Sequence, residues 1–208
     1  MAELDDLLDE VLRGIGRNVL NLQKMEGMLK FIVSSTGTFD WTSDVTQQTK
    51  VLEHSIMSRR KTTNRLSLGR LVDNLSQTLQ SDQTDQTNAA DSESDFRIEV
   101  SFGFEDEEFT NQLSQALRGV VIERNDLIHK RLVRFNPKSI KSCRELLREL
   151  NEQRNRIKPQ FETLSAICMN LRDIFKQLKD YADSGSFADD ISHAQEEWAG
   201  GANDNQDP

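Results

Sequence analysis

From Ile140 onward, apolar side chains return at alternating three- and four-residue steps for almost forty residues. The run is Ile140, Cys143, Leu147, Leu150, Arg154, Ile157, Phe161, Leu164, Cys168, Leu171, Phe175 and Leu178. Only a helix presents such positions on one side, and a repeat this long demands a second helix along its whole length. Arg154 is the single charged residue on the seam. Pro159 removes an internal helical hydrogen bond, so the spacing predicts a kink or two consecutive helices there. The seam suits an antiparallel bundle or a coiled coil between chains. In the second case Arg154 would fix register or face an anion.

The rest of the chain reads in the same period. Leu4, Leu7, Leu8, Val11, Leu12 and Ile15 lead into Val19, Leu22, Leu29 and Val33, which predicts a helix over 3–33. Gly14 and Gly16 in its middle mark a bend or close packing. They form no phosphate loop, since Val19 stands where a dinucleotide fingerprint wants a third glycine. Further helices are predicted over 44–58, with His54 on the surface, and from Leu66 to Leu79. Between them SRRKTTNR sets Arg59, Arg60, Lys61 and Arg65 in a turn or helix end, where they could contact phosphate.

Other segments read differently. SSTGTFDWTS, residues 34–43, is a connection rich in turn formers, with Phe39 and Trp41 at the core edge. SDQTDQTNAADSESD, residues 81–95, has no apolar side chain large enough to offset its ordering entropy, so a mobile acidic loop is expected. Phe96, Ile98, Val100 and Phe102 alternate with Arg97, Glu99 and Ser101, which is strand periodicity. No second strand is evident, leaving pairing with a twin in a dimer or an extended segment covering the bundle. The tail over 181–208 is acidic and poor in apolar residues, and is expected to be disordered. Its Phe187, Ile191 and Trp198 could bind a partner or fold back over a basic face.

These elements predict an all-α helical bundle. It carries a long, Pro-kinked C-terminal helix or helical hairpin, and at most one short extended segment near 96–102. Residues 1–180 form the helical domain. No run of eighteen apolar residues offers a membrane span, and the acidic MAELDDLLDE start is unlike a signal peptide. Cys143 and Cys168 lie in apolar helical pattern and read as reduced core residues, so a cytoplasmic location is expected.

The stretch Leu117–Phe135, LRGVVIERNDLIHKRLVRF, is where chemistry gathers. Leu117, Val120, Val121, Arg124, Leu127 and Ile128 line one face of a helix, with Glu105 to Glu108 supplying acidic residues at its start. Arg124 sits inside the apolar stripe. An unpaired guanidinium there is costly, so it must face a carboxylate, an interface or a ligand. Glu26, on the apolar face of the first helix, is the best candidate to pair with it. At about 100° per residue, Arg124 and His129 lie about 140° apart and roughly 7.5 Å along the axis. One helix does not bring them together; a second copy could.

RNDLIH in this setting resembles the Arg-Asn-x-x-x-His signature of the HEPN superfamily. The specific resemblance covers about twenty residues, and the helix order loosely covers residues 10 to 180. It implies an all-helical, metal-independent endoribonuclease acting as a dimer. Its composite cleft would be built by Arg124, Asn125 and His129, with Glu26 in support. It also implies a toxin–antitoxin or phage-defence setting with a restraining protein partner. In a similar bacterial subgroup such a domain precedes a LOTUS-type RNA-binding module, whereas here a short acidic tail follows.

The net charge of −9 is unevenly placed. From Arg124 to Lys158 eleven Lys or Arg face Asp126, Glu145, Glu149 and Glu152, a local +7 that a polyanion could bind. Lys130, Arg131, Arg134, Arg59 and Arg60 are the candidate RNA contacts. RNA cleavage needs neither metal nor cofactor, because the ribose 2′-OH attacks its own phosphate, and no His/Cys/Asp/Glu group has metal-ligand spacing. An imidazole suits the proton transfers and an arginine the developing charge. The alternative is a non-catalytic helical module for protein interaction or RNA binding, in which Arg124 is a structural salt-bridge residue.

Overall fold

A computed structural model of the 208-residue chain describes residues 2–41, 48–80, 96–100, 104 and 106–184. The fold is all-α, with one small two-stranded ladder. In chain order it comprises α1 (Ala2–Ser35), β1 (Gly37–Trp41), α2 (Gln48–Thr63), α3 (Leu68–Gln80), β2 (Phe96–Val100) and α4 (Glu107–Asp126). A π turn (Leu127–Arg131), a last helical turn α5 (Leu132–Arg134) and the long α6 (Ile140–Asp183) follow. None of the described helices is long and apolar enough to cross a membrane.

The partner of the C-terminal seam is α1, within the same chain, and the two helices run parallel. Glu3 pairs with Arg144, Asn18 reaches Leu150 and Gln153, Met28 meets Cys168, and Phe31 lies under Arg172. Both residue numbers rise together, so neither an antiparallel seam nor an intermolecular coiled coil is needed to cover it. Gly14 marks close packing here rather than a bend, because a Cβ on it would stand 3.2 Å from Leu150 Cδ1. Val11, Met25, Leu29 and Ile32 of α1 are buried with Leu150, Ile157, Leu164 and Leu171 of α6, and α3 and α4 close the core with Leu71, Leu75, Leu117 and Val120.

For α6 one expectation narrows and one changes. Pro159 lies inside one continuous helix of 44 residues rather than between two. Asn155 and Pro159 are both exposed, so water can serve the carbonyl that the proline leaves without a helical donor. The polar residue on the buried face is Gln153, fully buried, while Arg154 points outward. Cys143, Leu150, Ile157, Leu164 and Leu171 stay buried at seven-residue spacing on both sides of the proline, so only the position between Leu150 and Ile157 differs.

The extended segment at 96–102 has a partner after all. Gly37–Trp41 pairs with it antiparallel, Gly37 opposite Val100 and Trp41 opposite Phe96. A two-stranded ribbon is marginal by itself; this one packs on α2 through β1, and Val100 is buried in the core. Gly37 makes the corner out of α1, with φ of 110° and Arg59 Nη1 so close that a Cβ would stand 2.7 Å from it. Arg59 also donates to the Thr36 carbonyl at 2.8 Å. The acidic loop expected over 81–95, Phe102, and the tail beyond 184 lie outside the described residues, as do the side chains of Phe39 and Trp41. The helix itself reaches Asp183, three residues past the predicted domain boundary. Cys143 and Cys168 are buried free thiols, 25 positions apart on one helix and so roughly 37 Å from each other.

Candidate functional site

Helix α4 is well started and unusually finished. Asp106 caps it, its Oδ1 accepting from the Glu108 and Phe109 amides at 2.9 and 3.1 Å, and Glu107 and Glu108 add negative charge at the positive end. Leu113, Leu117, Val120 and Leu127 are buried on its inner face. At the far end the ladder widens. The Leu132 amide donates to the Leu127 carbonyl, five residues back, where an α-helix bonds four back. Each residue in such a turn rotates the chain by less than 100°. The turn therefore carries His129 back toward the face of Arg124, narrowing the separation of an uninterrupted helix. Nothing in the composition of LIHKR announces this; π turns share their residues with ordinary helix.

Side chains clamp the turn. Lys130 spans it to Asp126 at 2.7 Å, and Arg131 stands between Glu123 at 3.8 Å and Glu149 of α6 at 3.6 Å. The Asp126 carboxyl is held below the usual carboxylate range, chiefly by the Lys130 hydrogen bond.

The three motif residues sit around this turn. Arg124 is half-buried and donates from Nη1 to Asn125 Oδ1 at 3.2 Å. Asn125 and His129 are exposed. The expected Glu26–Arg124 ion pair does not form. Glu26 instead accepts from Lys30, one helical turn on, at 2.7 Å. The two residues nevertheless line one cleft of about 120 Å³, with Val19, Leu22 and Gln23 of α1, Leu68 of α3 and Ile128 of the π turn. Arg124 is thus a partly desolvated guanidinium without a carboxylate partner among the described residues.

The carboxylate that organises the region is Glu123, which lies outside the apolar stripe of Leu117 to Ile128. Its side chain accepts from Arg156 Nε at 2.5 Å and from Gln153 Nε2 at 3.3 Å. Gln153 Nε2 also donates to the Glu123 carbonyl at 2.9 Å, and Asn18 Nδ2 donates to Gln153 Oε1 at 3.0 Å. The Glu123 bond holds the Arg156 guanidinium in its charged form, raising its pKa. One polar chain therefore joins α1, α6 and the residue just before Arg124. Asn18, buried among the apolar positions of α1, is the residue from which the sequence could have pointed to it.

The basic candidates divide. Arg131 is committed to two carboxylates and Lys130 to one. Arg134 is exposed and free of ion pairs among the described residues. It lines a second cleft of about 180 Å³ with Phe135, Ser142 and Glu145. Arg60 lies on the last turn of α2 and Arg59 just before it; Arg59 serves the end of α1, and Arg60 is exposed. Across 124–158 seven of the eleven basic side chains are already in ion pairs, three of those acids being Glu3, Glu123 and Glu162 outside the stretch. Counting those three, the local balance falls from +7 to +4. Among the described residues no group of three His, Cys, Asp or Glu side chains could hold a metal ion.

The fold and site define an all-helical protein with an arginine cleft beside a π turn. No protein-family model, curated protein or solved structure matches the chain.

Proposed function

We propose that the chain is a metal-independent endoribonuclease of HEPN type, working as a homodimer. The observation that carries this reading is Arg124: a half-buried guanidinium, bonded to Asn125 and facing a cleft without a carboxylate partner among the described residues, one π turn before an exposed histidine. A cation so placed is matched only when an anion arrives. Ile122 and Val133, 62% and 76% exposed, share the helix face of Asn125 and His129, which suits a second copy docking there.

In the reaction the 2′-oxygen bonds to the adjacent phosphorus and the P–O5′ bond breaks. One imidazole takes the 2′ proton and the imidazole of the second copy delivers a proton to the departing 5′-oxygen. The ends are a 2′,3′-cyclic phosphate and a 5′-hydroxyl. Arg124 steadies the phosphate charge and Asn125 orients the guanidinium. A restraining protein partner, in a toxin–antitoxin or phage-defence setting, belongs to the same proposal. A second reading, a non-catalytic RNA- or protein-binding module, draws on the internal pairing of most basic side chains.

The test is incubation of the full chain with labelled RNAs in excess EDTA. Cleavage is expected. His129→Ala should slow it about 10²–10⁴-fold and Arg124→Ala about 10²–10³-fold, both variants remaining folded and dimeric by circular dichroism and sedimentation. Intact RNA with a monomeric protein would sink the enzyme and leave the interaction module.

A further inference from the structure

The cleft shared by Arg124 and Glu26 has the make-up of a ligand site. Its apolar surface comes from three elements, through Leu22, Leu68 and Ile128. Its polar groups are of opposite sign and do not pair with each other. Among the described residues Arg124 bonds to Asn125 alone, and Glu26 accepts from Lys30 on Oε1, with Oε2 left to accept a further donor. A ligand complementary to this arrangement is flat and partly apolar. It offers an acceptor or anion to the guanidinium and an N–H donor to the carboxylate.

We propose that the cleft receives the base of a pyrimidine nucleotide of single-stranded RNA, the one whose 3′-phosphate Arg124 holds. The assignment of its phosphate as the scissile one rests on the ribonuclease reading above. Bases splayed from single strands are recognised by their edges and by stacking on guanidinium planes. Size favours one ring over two. An enclosed cavity of about 150 Å³ takes one benzene ring, and this open cleft is about 120 Å³. A single six-membered ring enters part-way, whereas a purine leaves its second ring outside the cleft. Chemistry agrees: the cytosine amino group or the uracil N3–H donates to Glu26, and the ring carbonyls accept from Arg124. Cleavage then falls on the 3′ side of pyrimidines, leaving pyrimidine 2′,3′-cyclic phosphate ends.

The test uses the full chain with ¹³C-labelled Leu, Ile and Val methyls, titrated with cytidine, uridine, adenosine and guanosine 3′-monophosphates. The pyrimidine nucleotides should shift the Leu22, Leu68 and Ile128 methyls at concentrations about tenfold lower than the purines, the worth of one hydrogen bond to a charged group. Glu26→Gln should narrow that preference. A 2′-O-methyl trinucleotide with a central pyrimidine should bind more tightly than the mononucleotide; equal affinity overturns RNA as the source and favours a free nucleotide. No methyl response to any nucleotide, or an equal response to purines, overturns the pocket whether or not RNA is cut. The expected binding preference with RNA left intact in EDTA keeps the pocket and refutes the ribonuclease.

Discussion

Gln153 and Arg124 both place polar side chains among apolar helix faces, and the protein treats them in opposite ways. Gln153 is fully buried and satisfied at both ends, giving Nε2 to the Glu123 carbonyl and carboxylate and receiving Asn18 on Oε1. Arg124 is half-buried, with Asn125 as its one hydrogen-bond partner among the described residues and a cleft in front of it. A buried polar side chain whose own groups are all met specifies packing, and in this network Asn18 Oδ1 is the group left without a partner among the described residues. A cation left open to a cleft is matched only from outside. The difference separates the part of the molecule that holds the fold from the part that is available to a ligand.

The largest expected effect breaks the closed side. Gln153→Leu leaves the buried Asn18 bonded to the Leu150 carbonyl alone and takes one donor from the Glu123 carboxylate, which keeps Arg156, and should cost about 1–3 kcal/mol in urea unfolding. Arg124→Leu removes an unmatched charge from an apolar stripe and should change stability by less than about 0.5 kcal/mol, or raise it. Equal losses from the two substitutions would make Arg124 a structural residue and undo the contrast.

Pro159 sharpens the same contrast from the seam. It sits exposed within α6, away from the Arg124 cleft. Pro159→Ala restores a hydrogen bond to the Asn155 carbonyl and should stabilise the fold by roughly 1–3 kcal/mol, with RNA cleavage unchanged. A lower melting temperature would mean that α6 needs the proline to follow α1.

Much of this was legible in the residues. The apolar stripe from Leu117 to Ile128, the acidic start of α4 and the long C-terminal helix follow from periodicity and helix-end chemistry. What was not legible depends on contacts between distant segments. SSTGTFDWTS reads as a turn because only Phe96–Val100, some sixty residues on, makes Gly37–Trp41 a strand. Periodicity placed a seam on α6 but could not say that α1 runs parallel to it. Glu26 and Glu123 were both carboxylates within reach of the core; the packing of α4 on α6 chose Glu123 for the network and left Glu26 to Lys30. The site residues Arg124, Asn125 and His129 were named from a motif, yet the π turn that brings them toward one face leaves no mark in composition.

The smallest effect concerns the clamp on that turn. Lys130 holds the Asp126 carboxyl below its usual range, so between the usual value and the lowered one the folded chain binds fewer protons than the unfolded chain. The contribution of the pair is therefore present above the ordinary carboxylate range, about pH 4, and is lost as pH falls through the lowered value. Both side chains are partly exposed, so salt should weaken the pair as well. The Leu132 amide, bonded to the Leu127 carbonyl, reports on the turn directly. Its hydrogen exchange, corrected for the intrinsic rate at each pH, should be slower in the wild type than in Asp126→Asn at pH 7. The two proteins should converge once pH falls below the lowered value, or in molar salt. A difference that persists in acid would show that Asp126 holds the turn by some route other than its charge, and no difference at pH 7 would leave Arg131, between Glu123 and Glu149, as the clamp that matters.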